Sequence, residues 1–134
     1  MNIREFTNEV NATLRKHARL SVEALARNTE AEAKKSILRE AKSGRFYRVP
    51  GTRRTYQASA PGQSPAPRTG DLANSIRIEV ESDYVVSVGS ELKYSRIEFG
   101  YGRAAPRPYL RPANDKTMQN KDAIFSAVFR QVTR

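Results

Sequence analysis

The longest regular pattern in this chain is a stripe of apolar residues near its N-terminus. Apolar side chains recur there at steps of mostly three or four: Ile3, Phe6, Val10, Leu14, Ala18, Val22, Leu25, Ala33 and Ile37. No Gly or Pro interrupts the segment, and the good helix formers Ala, Glu, Lys and Arg are abundant. Thr29 alone fills the gap between Leu25 and Ala33. The pattern predicts one long helix over residues 2–42 that ends at Ser43 and Gly44.

Strict alternation of apolar and polar residues marks a second segment. Its apolar positions are Ile76, Ile78, Val80, Tyr84, Val86 and Val88. Alternation with a period of two is typical of strands that bury one face. We therefore expect an antiparallel hairpin within residues 71–99. A short helix begins before it, with Thr69 or Asp71 as the cap, and a short helical or turn segment follows it and stops at Gly100.

Residues 43–70 show neither pattern. They contain four Gly, four Pro and no acidic residue, and their basic residues are Arg45, Arg48, Arg53, Arg54 and Arg68. Twenty-eight residues without periodicity are long for a connection, and such loops are usually either functional or disordered. Phe46, Tyr47 and Tyr56 are interleaved with the arginines. Two interpretations stay open: an arm that contacts phosphate or a partner, and a solvated loop that only keeps the chain soluble.

Residues 100–134 begin with a proline-rich segment and end in an amphipathic pattern. Pro106, Pro108 and Pro112 force an extended backbone, because each proline fixes φ and restricts the residue before it. Pro112 also suits the first turn of a closing helix. The apolar stripe of that helix is Phe125, Val128, Phe129 and Val132.

Charge and apolar content change this picture from a self-contained subunit to one that needs partners. The net charge is +10, which favours an acidic partner. Divided by segment, the hairpin region 71–99 carries −3, whereas residues 43–70 and 100–134 each carry +5. Opposite charges on one chain suit head-to-tail association of identical copies. Leu, Ile, Val and Phe make up only 27 of 134 residues, so either parts stay unpacked or burial is completed against other subunits.

Few side chains point to catalysis. The chain has no Cys, which excludes disulfides, thiolate nucleophiles and Cys-ligated metals. The single histidine, His17, has no partner with metal-ligand spacing, so we expect it to be solvated or packed. Glu79 and Glu81 share one strand face, which we expect to be exposed. We therefore predict no enzyme, cofactor or metal site. The polar N-terminus and the lack of long apolar runs predict a soluble intracellular protein without a membrane span.

Two stretches, in order, resemble a known family. They are APGQSPAPRTGDLANSI (Ala60 to Ile76) and YSRIEFGYGRAAPRPYLRPA (Tyr94 to Ala113). Together they resemble the gene-product-ten-like family of head–tail joining proteins of long-tailed bacteriophages and prophages. The positions that carry the resemblance are Gly70, Leu72, Ser75, Ile76, Tyr94, Glu98, Gly100, Pro108, Tyr109, Leu110, Pro112 and Ala113. Two departures are Tyr101 after Gly100, where the family commonly has Thr, and Tyr109, where Phe is commoner.

The resemblance implies an α+β subunit whose N- and C-terminal helices pack on a small antiparallel sheet. It implies a non-enzymatic neck or tail-completion protein of the virion, assembled in the host cytoplasm as a ring, for which we expect six copies. Its partners would be its own copies, other neck or connector proteins, the tail-tube protein and, non-specifically, DNA in the channel. In this reading Gly70 and Gly100 permit turns, while Pro108 and Pro112 hold an extended strut.

The candidate contact residues for a partner or the DNA channel are Arg45, Arg48, Arg53, Arg54, Tyr56 and Arg68. The alternative function is a free-standing basic nucleic-acid-binding protein. Against the alternative, the chain has no recognised DNA-binding motif, and the acidic hairpin would repel a duplex.

Overall fold

A computed structural model describes residues 1–133. Its dominant element is helix α1, Ile3–Arg39, which is 37 residues and therefore about 55 Å long. A capping box starts it, because Asn2 Oδ1 accepts a hydrogen bond from Glu5 N at 2.9 Å and the Glu5 carboxylate accepts one from Asn2 N at 3.0 Å. The long helix predicted from the stripe is confirmed.

The end of α1 lies three residues before the predicted end at 42. Glu40 is already extended, with ψ at 140°. Lys42 turns back and donates from Nζ to the Ser36 carbonyl oxygen at 2.9 Å, satisfying an acceptor of the last helical turn. A lysine side chain, rather than the expected Gly44, therefore completes this helix end.

The remaining elements make the fold α+β, as expected. They are β1 (Phe46–Arg48), β2 (Thr55–Gln57), α2 (Asp71–Ser75), β3 (Arg77–Val80), β4 (Val86–Gly89), a 3₁₀ helix (Lys93–Glu98), α3 (Leu110–Gln119) and α4 (Lys121–Val132). The strands form two separate antiparallel pairs, β1 with β2 and β3 with β4.

Three details of the prediction are wrong. One small sheet was expected, and two two-stranded sheets are present. Residues 43–70 were expected to lack strands, yet they contain β1 and β2. One closing helix was expected, but Asn120 separates α3 from α4 because its N–H bonds to the carbonyls of Thr117 and Met118 in a tightened turn. The break allows both short helices to pack on α1.

The hairpin predicted from alternation is confirmed in β3 and β4. Ile78 pairs with Val88 and Val80 with Val86. Its preceding helix has a different cap from either predicted one: Gly70 occupies the N-cap position of α2 with φ at +82°, so the turn expected at this glycine is present.

The core lies against the C-terminal half of α1. Its buried cluster consists of Ala33, Ile37, Leu72, Ala73, Ile76, Ile97, Tyr109 and Ala113. Fully burying a large apolar side chain such as Ile37 contributes about 1.5–3 kcal/mol. The cluster joins α1, α2, the 3₁₀ helix and α3, so it holds together segments that are far apart in sequence.

The polar gap at Thr29 in the predicted stripe is a buried contact with α3. The Thr29 hydroxyl lies 3.0 Å from both the Leu25 carbonyl oxygen and Thr117 Oγ1. Thr117 is fully buried and donates to Asn28 Oδ1 at 2.9 Å. Hydrogen bonds thus replace apolar packing at this level of the α1–α3 interface.

Helix α1 differs along its length. Residues 1–16 are all exposed, whereas buried positions begin at Ser21. Between the two regions, His17 packs edge-on against Phe129 of α4, with ring centroids 5.7 Å apart. Despite its length, α1 is too polar to cross a bilayer, and the same holds for every other helix within residues 1–133.

Candidate functional site

The basic segment folds into a hairpin that we call the arginine hairpin, residues 44–58. Tyr47 pairs with Tyr56 across its two strands. Backbone bonds continue the ladder beyond the strands, from Val49 N to Arg54 O and from Ala58 N to Arg45 O, both at 2.8 Å. The segment is therefore ordered by its own main chain.

The two faces of the arginine hairpin carry different side chains. The rings of Tyr47 and Tyr56 lie 6.0 Å apart on one face. Arg45 and Arg54 belong to the same face, because each lies two residues from one of the tyrosines. Arg48 lies on the other face. Guanidinium groups beside exposed aromatic rings can bind phosphate or carboxylate and stack on planar groups.

The guanidinium groups of the hairpin are free. Arg45, Arg48, Arg53 and Arg54 are all exposed, and none forms an ion pair with another residue of 1–133. On α1, by contrast, Arg27 is paired with Glu23 at 2.9 Å. The hairpin consequently presents positive charge that its own subunit does not neutralise.

Two glycines fix tight backbone approaches near this region. A Cβ at Gly44 would lie 2.6 Å from the Ala58 carbonyl oxygen, so no larger residue fits at the base of the hairpin. Gly100 has φ at +102°, and a Cβ there would lie 3.1 Å from the Ala104 carbonyl oxygen. The turn expected at Gly100 is thereby confirmed.

Polar contacts tie the base of the hairpin to α1. Ser64 is buried, and its hydroxyl donates to the Ser36 carbonyl oxygen at 2.7 Å. Lys42 Nζ contacts the same Ser64 hydroxyl. Burial lowers the pKa of Lys42, while the nearby Glu40 carboxylate acts in the opposite direction. The segment after the hairpin is anchored at a fixed point on the helix end.

A second set of contacts ties the hairpin base to the proline-rich strut. Arg107 Nε donates to Ser59 Oγ at 3.0 Å, and Gly62 N donates to the Pro106 carbonyl oxygen at 3.1 Å. Arg107 N in turn donates to the Ile97 carbonyl oxygen at 2.7 Å. The strut therefore connects the hairpin base with the 3₁₀ helix.

Of the six candidate contact residues, five lie in the hairpin and one lies beside it. Arg68 is exposed and belongs to the loop before α2. Arg68 and Tyr56 both line a cleft of about 520 Å³, together with Tyr94. The fold thus brings Arg68 next to the base of the hairpin and away from its tip.

The motif residue Glu98 forms the most concentrated polar contact of the chain's interior. Its carboxylate is buried and accepts three backbone N–H bonds: Oε2 from Tyr109 at 2.6 Å and from Leu110 at 2.9 Å, and Oε1 from Arg111 at 2.9 Å. These N–H groups open helix α3, where intrahelical acceptors are lacking. A carboxylate at this position also favours the helix dipole. We call this arrangement the Glu98 cap.

The Glu98 cap positions Tyr109, which is fully buried. The Tyr109 hydroxyl donates to the Ser95 carbonyl oxygen at 3.2 Å. Burial raises the pKa of Tyr109 from 10.0 to about 12, and the charge of Glu98 acts in the same direction. The tyrosine at a position where Phe is commoner in the family therefore has a hydrogen-bond partner.

The other motif residues have packing and turn roles. Leu72, Ile76 and Ala113 belong to the core, and Leu110 packs against it. Ser75 Oγ lies 2.6 Å from Ser90 Oγ, joining α2 to the segment after β4. Tyr94 is half exposed and lies edge-on to Tyr101. Pro108 is half-buried in the strut, and Pro112 lies in the first turn of α3 as expected. This description fits the structural roles expected for these positions.

Residues with catalytic potential are scattered. Within residues 1–133, His, Asp and Glu side chains form no group of three or more that would hold a metal ion. Glu79 and Glu81 are both exposed, and Glu81 accepts a hydrogen bond from Ser87 Oγ at 2.5 Å. His17 packs against Phe129. The candidate site is therefore a contact surface, the arginine hairpin, supported by the Glu98 cap.

Sequence reasoning missed the strands of the hairpin and the role of Glu98. Phe46, Tyr47 and Val49 before Pro50 and Gly51 are a strand-and-turn signal, since aromatic and β-branched residues favour strands. Glu98 gave no such signal, because the N–H groups that it binds lie 11–13 residues away. Comparison with family models, curated proteins and solved structures yields no match for this chain.

Replacing Glu98 by Gln tests the cap. The amide directs two N–H donors toward backbone N–H groups, so at least one buried donor loses its acceptor. We expect the free energy of unfolding to fall by about 2–4 kcal/mol. Urea unfolding followed by circular dichroism measures it, with the exposed Glu79→Gln as the matched control. Equal stabilities of the two variants would contradict the role given to Glu98.

The raised pKa of Tyr109 predicts a loss of stability at high pH. Because the folded pKa of about 12 exceeds the ordinary value of 10.0, the stabilisation is complete below pH 10 and is lost as the pH rises towards 12. Unfolding free energies at about pH 9 and about pH 11 should differ less in Tyr109→Phe than in the wild type. The exposed Tyr84→Phe is the control and should keep the wild-type difference.

Proposed function

We propose that this chain is a non-enzymatic structural protein of the neck of a long-tailed phage, acting as a ring that joins the head to the tail. The observation that carries the proposal is the division of labour among the candidate residues. The positions that resemble the family build one packed unit around Tyr109 and Glu98. The arginine hairpin stays outside that unit with its charges free.

The distribution of free charge supports assembly with partners. Besides the arginine hairpin, the exposed acidic residues of the β3–β4 hairpin, Glu79, Glu81 and Asp83, form no ion pair with Lys or Arg of residues 1–133. Basic and acidic surfaces at different places on one subunit attract one another between copies and orient them head to tail. In a ring around DNA, arginines would contact phosphates without reading bases.

The alternative function, a free nucleic-acid-binding protein, is favoured by one observation. Tyr47 and Tyr56 lie beside arginines on one face of the hairpin, an arrangement that suits a nucleic-acid backbone and its bases. The acidic β3–β4 hairpin weighs against it, since it would repel a duplex. The two functions differ in what the isolated subunit does, and in whether particle assembly depends on it.

Removing the charges of the arginine hairpin tests the proposed function. We expect Arg45→Ala, Arg48→Ala, Arg53→Ala and Arg54→Ala together to leave the fold intact, because all four side chains are exposed. Infectious particles should fall at least about a hundredfold, since charge-assisted contacts contribute about 1.5–3 kcal/mol each. The measurement is complementation, in trans, of a phage or prophage whose own copy of this chain is inactive, with electron microscopy for unjoined heads and tails.

The control for this experiment removes four exposed basic residues elsewhere: Lys35, Arg39, Lys121 and Arg130. It lowers the net charge equally and should still support joining. Normal yields of infectious particles from the hairpin variant would exclude the role given to these arginines.

A DNA titration at two salt concentrations separates the two functions. A free nucleic-acid-binding protein that uses the four hairpin arginines would bind tightly as a monomer, with a slope of log affinity against log salt near about −3.6. A ring subunit should bind DNA weakly as a monomer. Tight, salt-steep binding by the monomer that disappears in the hairpin variant, together with unaffected head–tail joining, would favour the alternative.

A further inference from the structure

The exposed end of α1 carries an apolar face without a partner, which we call the N-terminal stripe: Ile3, Phe6, Val10 and Leu14. Their exposed fractions are 86%, 58%, 39% and 61%. Steps of three and four place the four side chains on one side of the helix. His17 and Ser21 continue the same side, and there α4 covers it. The stripe is therefore the uncovered extension of a packing face.

A groove elsewhere on the subunit has the complementary character. It lies between α1, β4 and α3, has a volume of about 760 Å³, and its apolar lining includes Leu25, Val86, Val88, Phe99, Leu110 and Met118. Phe99 is 84% exposed and Met118 is 43% exposed. Large exposed apolar side chains around a concave surface are typical of a site that receives another element.

The stripe of a subunit cannot fill the groove of the same subunit. Leu25, in the groove, lies on the same helix as Leu14, about 16 Å further along its axis. No Gly or Pro between them allows the helix to fold back. The groove must take its occupant from another molecule.

Charge favours a second copy of this chain as that occupant. Arg96 and Arg111 line the groove, are exposed, and have no acidic partner within residues 1–133. Glu5 and Glu9 lie four residues apart along one border of the stripe, and both are exposed. Apolar side chains flanked by two acids thus match an apolar groove flanked by two arginines.

We propose that the N-terminal stripe of one copy lies in the apolar groove of the next copy. A helix that places residues at i, i+3 and i+7 into a groove is a common mode of recognition. The two surfaces differ, so the contact is head to tail and adds copies in one direction, closing into a ring where the rotation permits. This inference deepens the proposed ring function by naming the surfaces that join its subunits.

A pair of charge-matched variants tests the stripe. Phe6→Glu with Leu14→Glu introduces two acids on the stripe, and Asn8→Glu with Ala12→Glu introduces two acids on the opposite side of the same turns. Glu is a good helix former, so α1 persists in both. Analytical ultracentrifugation of the full chain should show association weakened at least about tenfold in the stripe variant and unchanged in the control.

Mixing two defective variants then distinguishes head-to-tail contact from pairing of two stripes. Met118→Glu places an acid in the groove, with Gln119→Glu as its neighbouring control. The stripe variant keeps an intact groove, and the groove variant keeps an intact stripe. Each alone should be monomeric, and an equal mixture should give heterodimers and no larger species by native mass spectrometry.

Three results would overturn the inference: a wild-type chain that stays monomeric, a stripe variant that associates like its control, or a mixture without heterodimers. The outcome is separable from that for the neck function. Stripe-dependent association combined with normal head–tail joining by stripe variants would retain the interface and reject the ring as the joining device. Loss of joining with unaltered association would do the reverse.

Discussion

The fold depends on a single buried carboxylate. Glu98 accepts three backbone N–H bonds that begin α3, and no other acceptor serves these groups. A buried donor without an acceptor costs about 1–3 kcal/mol, so the helix start and the 3₁₀ helix are kept together. That connection places Tyr109 and Ala113 against Ile37 of α1, where most of the core forms. The packing of α3, and the exit of the proline-rich strut from Arg107, follow from this one contact.

Around this core the polar groups divide into two kinds. Interior ones, such as Thr29, Thr117 and Ser64, have partners inside the subunit. The exposed arginines of the hairpin and the acids of β3–β4 do not have ionic partners within residues 1–133. Electrostatic interactions therefore contribute little to holding this subunit together and much to what it can meet. The thin apolar supply has the same consequence, because it is concentrated at one end of α1.

Local periodicity explains which parts of the fold were predictable. Helix α1 and the β3–β4 pair repeat a pattern over many residues, and Pro112 marks the start of α3. Strands β1 and β2 have only three residues each, and β1 is exposed on both faces, so they show no alternation. Thr29 looked like a gap because its partner, Thr117, lies 88 residues away. The hairpin arginines were identifiable from composition, whereas the Glu98 cap required knowledge of tertiary neighbours.

The uninterrupted α1 gives the subunit a mechanical property. Phe6 lies about 46 Å along the axis from Ile37, and the helix between them contains no hinge residue. A tilt of about 5° at the core would carry the free end sideways by about 4 Å, as a lever does. Conversely, a load applied at the free end acts as a torque on the core. The contacts of α3 with α1, rather than those of the hairpin, are placed at the fulcrum and resist it.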